Sequence, residues 1–204
     1  MQGFILNVTR AKNEDLIVSV LTQKRLHTLY RFYGARHSTI NIGYKIDFDI
    51  EYQIGYMPRL RHITHLGFSW LKDLGKAMAW QQFIKLLYRH LQEIEEPGNF
   101  YFDLLQRVCI KLTRQNPKRA IIESYVALLE HEGRLHDTLY CFVCERKIEK
   151  EPVLVRSFLP AHTSCVPKDS FDKKKIEYLF AYKDSQFLDG EEIERLWSIL
   201  TEGV

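Results

Sequence analysis

The chain has little cysteine, four residues in 204, and three of the four fall in one short stretch. That is too few for a scaffold stapled by disulfides. In a reducing compartment, paired cysteines favour metal or redox chemistry instead. No run of eighteen apolar residues occurs, so an obvious membrane span is excluded. The opening, Met1-Gln-Gly-Phe-Ile-Leu-Asn-Val-Thr9, has no basic segment leading into a long apolar one. It does not read as a secretory signal, and the expected compartment is the cytosol. Internal repeats and low-complexity tracts are also missing. With 46% apolar and 27% charged residues the composition is that of an ordinary globular protein. Its length allows one good core or two to three small ones.

Catalytic signatures are lacking too. Gly67 and Gly75-Lys76 superficially suggest a phosphate loop, but seven residues separate the glycines where four are required. There is no Gly-x-Ser-x-Gly elbow and no His-Glu-x-x-His. A zinc deaminase needs a His-x-Glu motif ahead of Pro-Cys-x-x-Cys, whereas Tyr140 precedes Cys141. His62 and His65 fall on an expected strand, where an odd offset turns the rings to opposite faces and makes no site. No enzyme activity is expected.

What the chain does have is Cys141-Phe-Val-Cys144 and, after seventeen intervening residues, His162-Thr-Ser-Cys165. Each pair has two residues between its members, a spacing with which a short turn grips one tetrahedral ion. Thiolates with a neutral imidazole suit Zn²⁺, and four protein donors close the tetrahedron, as in a structural site. Cys141, Cys144, His162 and Cys165 are the candidate ligands. A redox Cys-x-x-Cys or unligated thiols are the alternatives, although no thioredoxin-like pattern surrounds Cys141. His162, after Pro160-Ala161, is the weakest ligand of the four.

Charge is unevenly spread. Residues 1–70 hold nine Lys/Arg and five Asp/Glu, residues 71–140 ten and nine, and residues 141–204 ten and twelve. The running balance is +4, +1 and −2, summing to the net +3. A polyanion is therefore expected at the N-terminal end.

That end reads as β. Gly3–Val8, Leu16–Thr22, Leu26–Tyr33, Tyr44–Ile54 and Leu60–Leu66 are short runs rich in β-branched and aromatic residues, several of them alternating. Five short strands in about seventy residues suit a small closed barrel, with an OB-fold leading and an SH3-like barrel as the alternative. From Ser69 the period changes to about 3.6, predicting a helix from Ser69 to about Glu95 ended by Pro97-Gly98. A second helix is expected from about Phe100 to Arg114, with Cys109 in its apolar stripe. A third is capped by Asn116, with Pro117 at its first position and Gly133 past its end. A hairpin-like stretch at Pro152–Phe158, a basic run at Lys173–Lys175 and a final helix opened by the box Asp189-Gly-Glu-Glu192 follow. The expected class is α+β: an N-terminal OB-fold β-barrel (1–68), an α-helical domain (69–140 and 166–204) and a small zinc-finger-like insertion (141–165).

Within the barrel, Arg10, Lys12, Lys24, Arg25, Arg31, Arg36, His37, Lys45, Arg59 and Arg61 alternate with Tyr30, Phe32, Tyr33, Tyr44 and Tyr56. Single-stranded nucleic acid is held by this combination, with cations tracking phosphates and bases stacking on aromatic faces. Aromatics that merely fill the barrel, ringed by solvated cations, would give the same composition.

Together these features resemble the bacterial recombination mediator RecO. Gly3-Phe-Ile-Leu6, Glu14-Asp15 and Leu21-Thr22 stand where that family has its first strand, first turn and second-strand end. Tyr33-Gly-Ala-Arg-His-Ser38 is similar to its glycine–alanine–basic–serine segment. Leu128-Leu129, Gly133, Leu139 and Cys141-Phe-Val-Cys144 follow the family's order into its Cys-x-x-Cys. Departures are Glu145 in place of a glycine, His162 in place of a cysteine, and a missing proline. The resemblance implies a non-enzymatic, nucleoid-associated cytoplasmic protein that binds single- and double-stranded DNA and anneals strands. It further implies work with RecR to load RecA onto DNA coated by single-strand DNA-binding protein. On it, Arg10, Lys24, Arg25, Arg31, Arg36 and Arg61 are the expected phosphate contacts. A protein-interaction adaptor, gripping a partner with its helices, is the alternative from another class.

Overall fold

The computed structural model describes residues 1–32 and 37–202, and these divide into two compact units, Met1–Arg114 and Gln115–Val204. The first unit begins with five strands: β1 (Gln2–Arg10), β2 (Leu16–Leu21), β3 (Leu26–Arg31), β4 (Lys45–Glu51) and β5 (Arg59–His65). They close into a barrel of order β1-β2-β3-β5-β4, with β4 returning to pair with β1. All pairings are antiparallel except β3 with β5, which meet in parallel at Tyr30 and Arg59. This is an OB-like closed barrel, as the sequence predicts.

Period-two alternation builds the interior. Ile5, Val18, Val20, Leu29, Ile46, Phe48 and Leu60 point inward and form one core cluster. Gly3 sits where the barrel has no room, since a Cβ there would lie 2.5 Å from Val20 Cγ1. The next residue, Phe4, turns outward and meets Trp80 and Phe102 edge-on, at ring centroid distances of 6.1 and 5.4 Å. The opening Gly-Phe-Ile is thus a strand buried on both faces.

Those outer rings belong to α1 (Leu74–Leu91) and α2 (Asn99–Lys111), which complete the first unit. Trp80 is fully buried and donates from Nε1 to the carbonyl of Gly43 at 2.8 Å. Gly43 adopts φ +85°, and a Cβ on it would stand 2.4 Å from the indole nitrogen. Only glycine satisfies both demands.

The expected helix from Ser69 is corrected at its start. Ser69–Lys72 is a 3₁₀ turn, and α1 begins at Leu74 because the Asp73 side chain accepts from the Lys76 amide at 3.1 Å. Ser69 makes no cap hydrogen bond. At its far end α1 stops at Leu91, short of Glu95. Met78, an apolar residue at helical spacing, is 55% exposed, and Leu74 one turn earlier is 74% exposed.

The second unit holds α3 (Pro117–His131), the hairpin β6 (Val153–Val155) and β7 (Leu159–Ala161), α4 (Lys173–Tyr182) and α5 (Gly190–Glu202). Asn116 caps α3 by accepting from the amides of Lys118 and Arg119, with Pro117 at the first position. Asp189 and Glu192 form the reciprocal capping box of α5, each accepting the other's amide at 2.9 Å.

Helix α4 replaces what reads in sequence as a basic run. Asp172 caps it, and Ile176, Leu179 and Phe180 are buried at helical spacing. Three lysines in a first turn oppose the helix dipole, which hides the start signal. Two of them are engaged internally: Lys173 donates to the Ile148 carbonyl at 2.9 Å, and Lys175 pairs with Glu192 at 2.8 Å.

A polar lock joins α3 to the α4–α5 connection. Glu123 is buried and accepts from the amide and hydroxyl of Ser185, at 3.1 and 2.8 Å, and from Gln115. Arg119 donates to the carbonyls of Ser185 and Leu188. No described helix is long and apolar enough to cross a membrane.

Candidate metal centre and nucleic-acid interface

The two ligand pairs, seventeen residues apart in sequence, meet in space. The donor atoms of Cys141, Cys144, His162 and Cys165 all lie within 4.8 Å of one another. Each pair sits on its own turn. The Cys141 carbonyl accepts from the Glu145 amide at 2.8 Å, and the Cys141 amide donates to the Arg146 carbonyl at 2.9 Å. The turn requires a left-handed residue, and Glu145 takes that position at φ +57°. This is the place where the resembling family carries glycine. The second turn is closed by the amides of Cys165 and Val166, which donate to the His162 carbonyl at 3.0 and 2.9 Å. Phe142 N–H donates to the Pro160 carbonyl at 3.0 Å and ties the two turns together.

His162 is oriented for ligation. Its Nδ1 faces Cys144 Sγ at 3.4 Å, while Nε2 lies 3.2 Å from the Lys147 carbonyl. That carbonyl accepts the ring proton, which leaves the Nδ1 lone pair directed at the thiols, an arrangement typical of metal-binding histidines. Burial opposes ionisation of Cys141, but backbone N–H groups of the turns outweigh it and bring the thiol down to about 6. Cys144 is also lowered, chiefly by a backbone hydrogen bond at Arg146. His162 is raised, first by its hydrogen bond with Cys141. Burial and the neighbouring thiols push Cys165 up. A donor set that stabilises negative charge on two sulfurs beside an oriented imidazole can hold a metal ion. Cys109 takes no part: it is buried in α2, and burial drives its thiol far upward.

On the barrel the ten cations and five aromatics sort into distinct groups. Arg31 lies at the barrel end, half-buried, with Nη1 donating to the Leu60 carbonyl at 3.0 Å. Burial first, then repulsion from Arg61, lowers its pKa. Lys45 is turned inward, bonded to Gln106 at 3.1 Å and placed over the rings of Phe4 and Phe102. Arg25 is exposed and paired with Glu96. Arg61 is held by Glu51 at 2.7 Å, while Arg10 and Lys24 are exposed. Arg36 lies outside the described residues, as does Tyr33.

Among the aromatics, Tyr30 donates to Asp15 and Tyr44 stacks on His65 at 4.1 Å, so both are committed to the barrel itself. Phe32 is different. It is 40% exposed, with the guanidiniums of Arg59 and Arg61 at 4.8 and 5.9 Å from its ring centre. The following β4–β5 loop exposes Tyr52, Ile54, Tyr56 and Met57. Arg59 and Phe32 were visible as members of a mixed set, but their stacking was not. Tyr52 gives no sequence signal beyond an alternation that runs past the end of β4. His62 and His65 lie on β5, where the ladder to β4 shifts register. His62 points to solvent and to Asp49 at 3.1 Å.

Against known families, residues 1–71 match the model of the RecO N-terminal domain. That stretch ends just past β5, so the match covers the whole barrel. No curated protein matches the chain. The match makes residues 1–71 similar to the N-terminal domain of RecO, a protein of DNA repair and recombination.

Proposed function

We propose that the chain is a non-enzymatic DNA-binding mediator of recombinational repair. It binds single- and double-stranded DNA through the barrel, anneals complementary strands, and works with RecR to load RecA where single-strand DNA-binding protein covers the strand. One observation carries the reading: the matched domain is a closed barrel that presents an exposed ring, Phe32, with two guanidiniums near it. Cations that neutralise two strands at once lower their mutual repulsion, and stacked bases are held splayed for pairing. Arg10, Lys24, Arg25 and Arg61 are exposed enough to reach phosphate, and Arg59 joins them. Arg31, hydrogen-bonded at the barrel end, supports the barrel more than the strand.

Zinc is the ion proposed for Cys141, Cys144, His162 and Cys165. Bound there it would supply cross-linking strength, and four protein donors leave no coordination site for a substrate. The module is then a staple.

The adaptor reading has its own observation, the exposed apolar pair Leu74 and Met78 on one face of α1. Titrating a labelled single strand between 50 and 200 mM salt tests the DNA reading. Five phosphate contacts predict an affinity loss of about 500-fold over that range. A flat response would contradict it and favour the adaptor.

A further inference from the structure

The barrel carries a second feature that the Phe32 face does not include. A concave basin of about 650 Å³ opens within the first unit, lined by the β2–β3 turn, the start of β3, the end of β4 and α2. Lys24 and Arg25 supply its side-chain charge, and no carboxylate is among its lining residues. Tyr52 stands at its edge with 73% of its surface exposed, while Phe102, 4% exposed, gives it an apolar wall. Gln106 adds an amide that can donate and accept.

We propose that this basin seats one nucleotide unit of a single strand, its phosphate on Lys24 and Arg25 and its base on Tyr52. The inference rests on the DNA-binding reading and sharpens it to a subsite. Arg25 has five N–H donors. Its pairing with Glu96 engages one guanidinium nitrogen and fixes the fork, leaving other donors for phosphate oxygens. His27 is held below its ordinary pKa, first by burial and then by Arg25, so it enters the basin as a neutral hydrogen-bonding group. A site of cations alone would take any anion. The exposed ring and the amide edge beside them select an anion that carries a planar, hydrogen-bonding base.

Free nucleotides and inorganic phosphate share part of this chemistry, as does an acidic peptide. The test uses the full chain and an oligothymidylate with a single fluorescent 2-aminopurine. Tyr52→Ala should lower affinity by about 5- to 100-fold, the loss of one stacked base, and abolish the stacking quench. Tyr52→Phe should restore both. Lys24→Ala should reduce the slope of log affinity against log salt by about one. Tyr52 and Lys24 are exposed, so a melting curve will show both variants folded. Wild-type affinity and quench in Tyr52→Ala, with loss in Phe32→Ala, overturns the subsite and leaves the DNA reading standing. Absence of strand binding by the unsubstituted chain overturns both. Equal competition by thymidine monophosphate, phosphate or a polyglutamate peptide overturns the strand as occupant.

Discussion

The barrel and the Cys/His module are held together by different physics. Nine buried side chains fill the barrel core, and a closed ladder satisfies its backbone. The module's own core cluster is three residues, Cys141, Ile148 and Ala161, with half-buried Cys144, Cys165 and Val166 against it. So small a core leaves little burial to hold the module, and the proposed zinc would supply what burial does not. Information is placed accordingly: the barrel leaves side chains on its surface free to recognise a ligand, while the module spends its chemical groups on itself.

Withholding the proposed zinc should break the comparison most visibly. Structural zinc contributes an apparent 10–16 kcal/mol, about the full stability of a small domain. Chelation, or Cys144→Ser, should open residues 140–166 to protease while strand affinity stays unchanged. Equal loss of both would mean that the two regions are one functional body. The barrel has its own point of failure. Trp80→Ala removes a fully buried indole and its hydrogen bond to Gly43, at a cost of about 3–5 kcal/mol read by chemical denaturation. A cost below about 1 kcal/mol would show that α1 does not anchor the barrel.

The smallest effect sharpens the electrostatic side. Glu51 is held below its ordinary pKa, first by the hydrogen bond from Arg61, with Arg59 and His62 adding to it. Glu51→Gln removes the carboxylate charge beside Arg61 and should raise strand affinity by about two- to fivefold, the scale of an exposed ion pair. A fall in affinity would show that Glu51 positions Arg61 for the strand.

Much of this was legible in the sequence. Short runs of β-branched and aromatic residues between turn signals placed all five strands, and alternation marked those, such as β4, that bury one face. The Asn116-Pro117 cap and the Asp189–Glu192 box were visible because caps are local hydrogen bonds. The pairing of Cys141-x-x-Cys144 with His162-x-x-Cys165 was visible because each turn grips through short spacing. What stayed hidden depends on partners distant in the chain. Lys173–Lys175 read as a basic run, yet Asp172 and Ile148 make it the start of α4. The bond of Arg31 to the Leu60 carbonyl and the seat of Lys45 over Phe4 and Phe102 are of the same kind. The start of α1 is a local exception: the apolar period begins at Ser69, but the Asp73 side chain caps the helix. The basin joins Lys24 to Tyr52 and Gln106, and no periodicity announces that meeting.

The central claim is that the barrel, and not the Cys/His module, holds DNA. Photo-crosslinking a single strand substituted with 5-iodouracil to the full chain, with adducts mapped by mass spectrometry, tests it directly. Adducts should fall within residues 1–71, on Phe32, Tyr52 and Tyr56 foremost. Adducts confined to residues 140–166 would contradict the account.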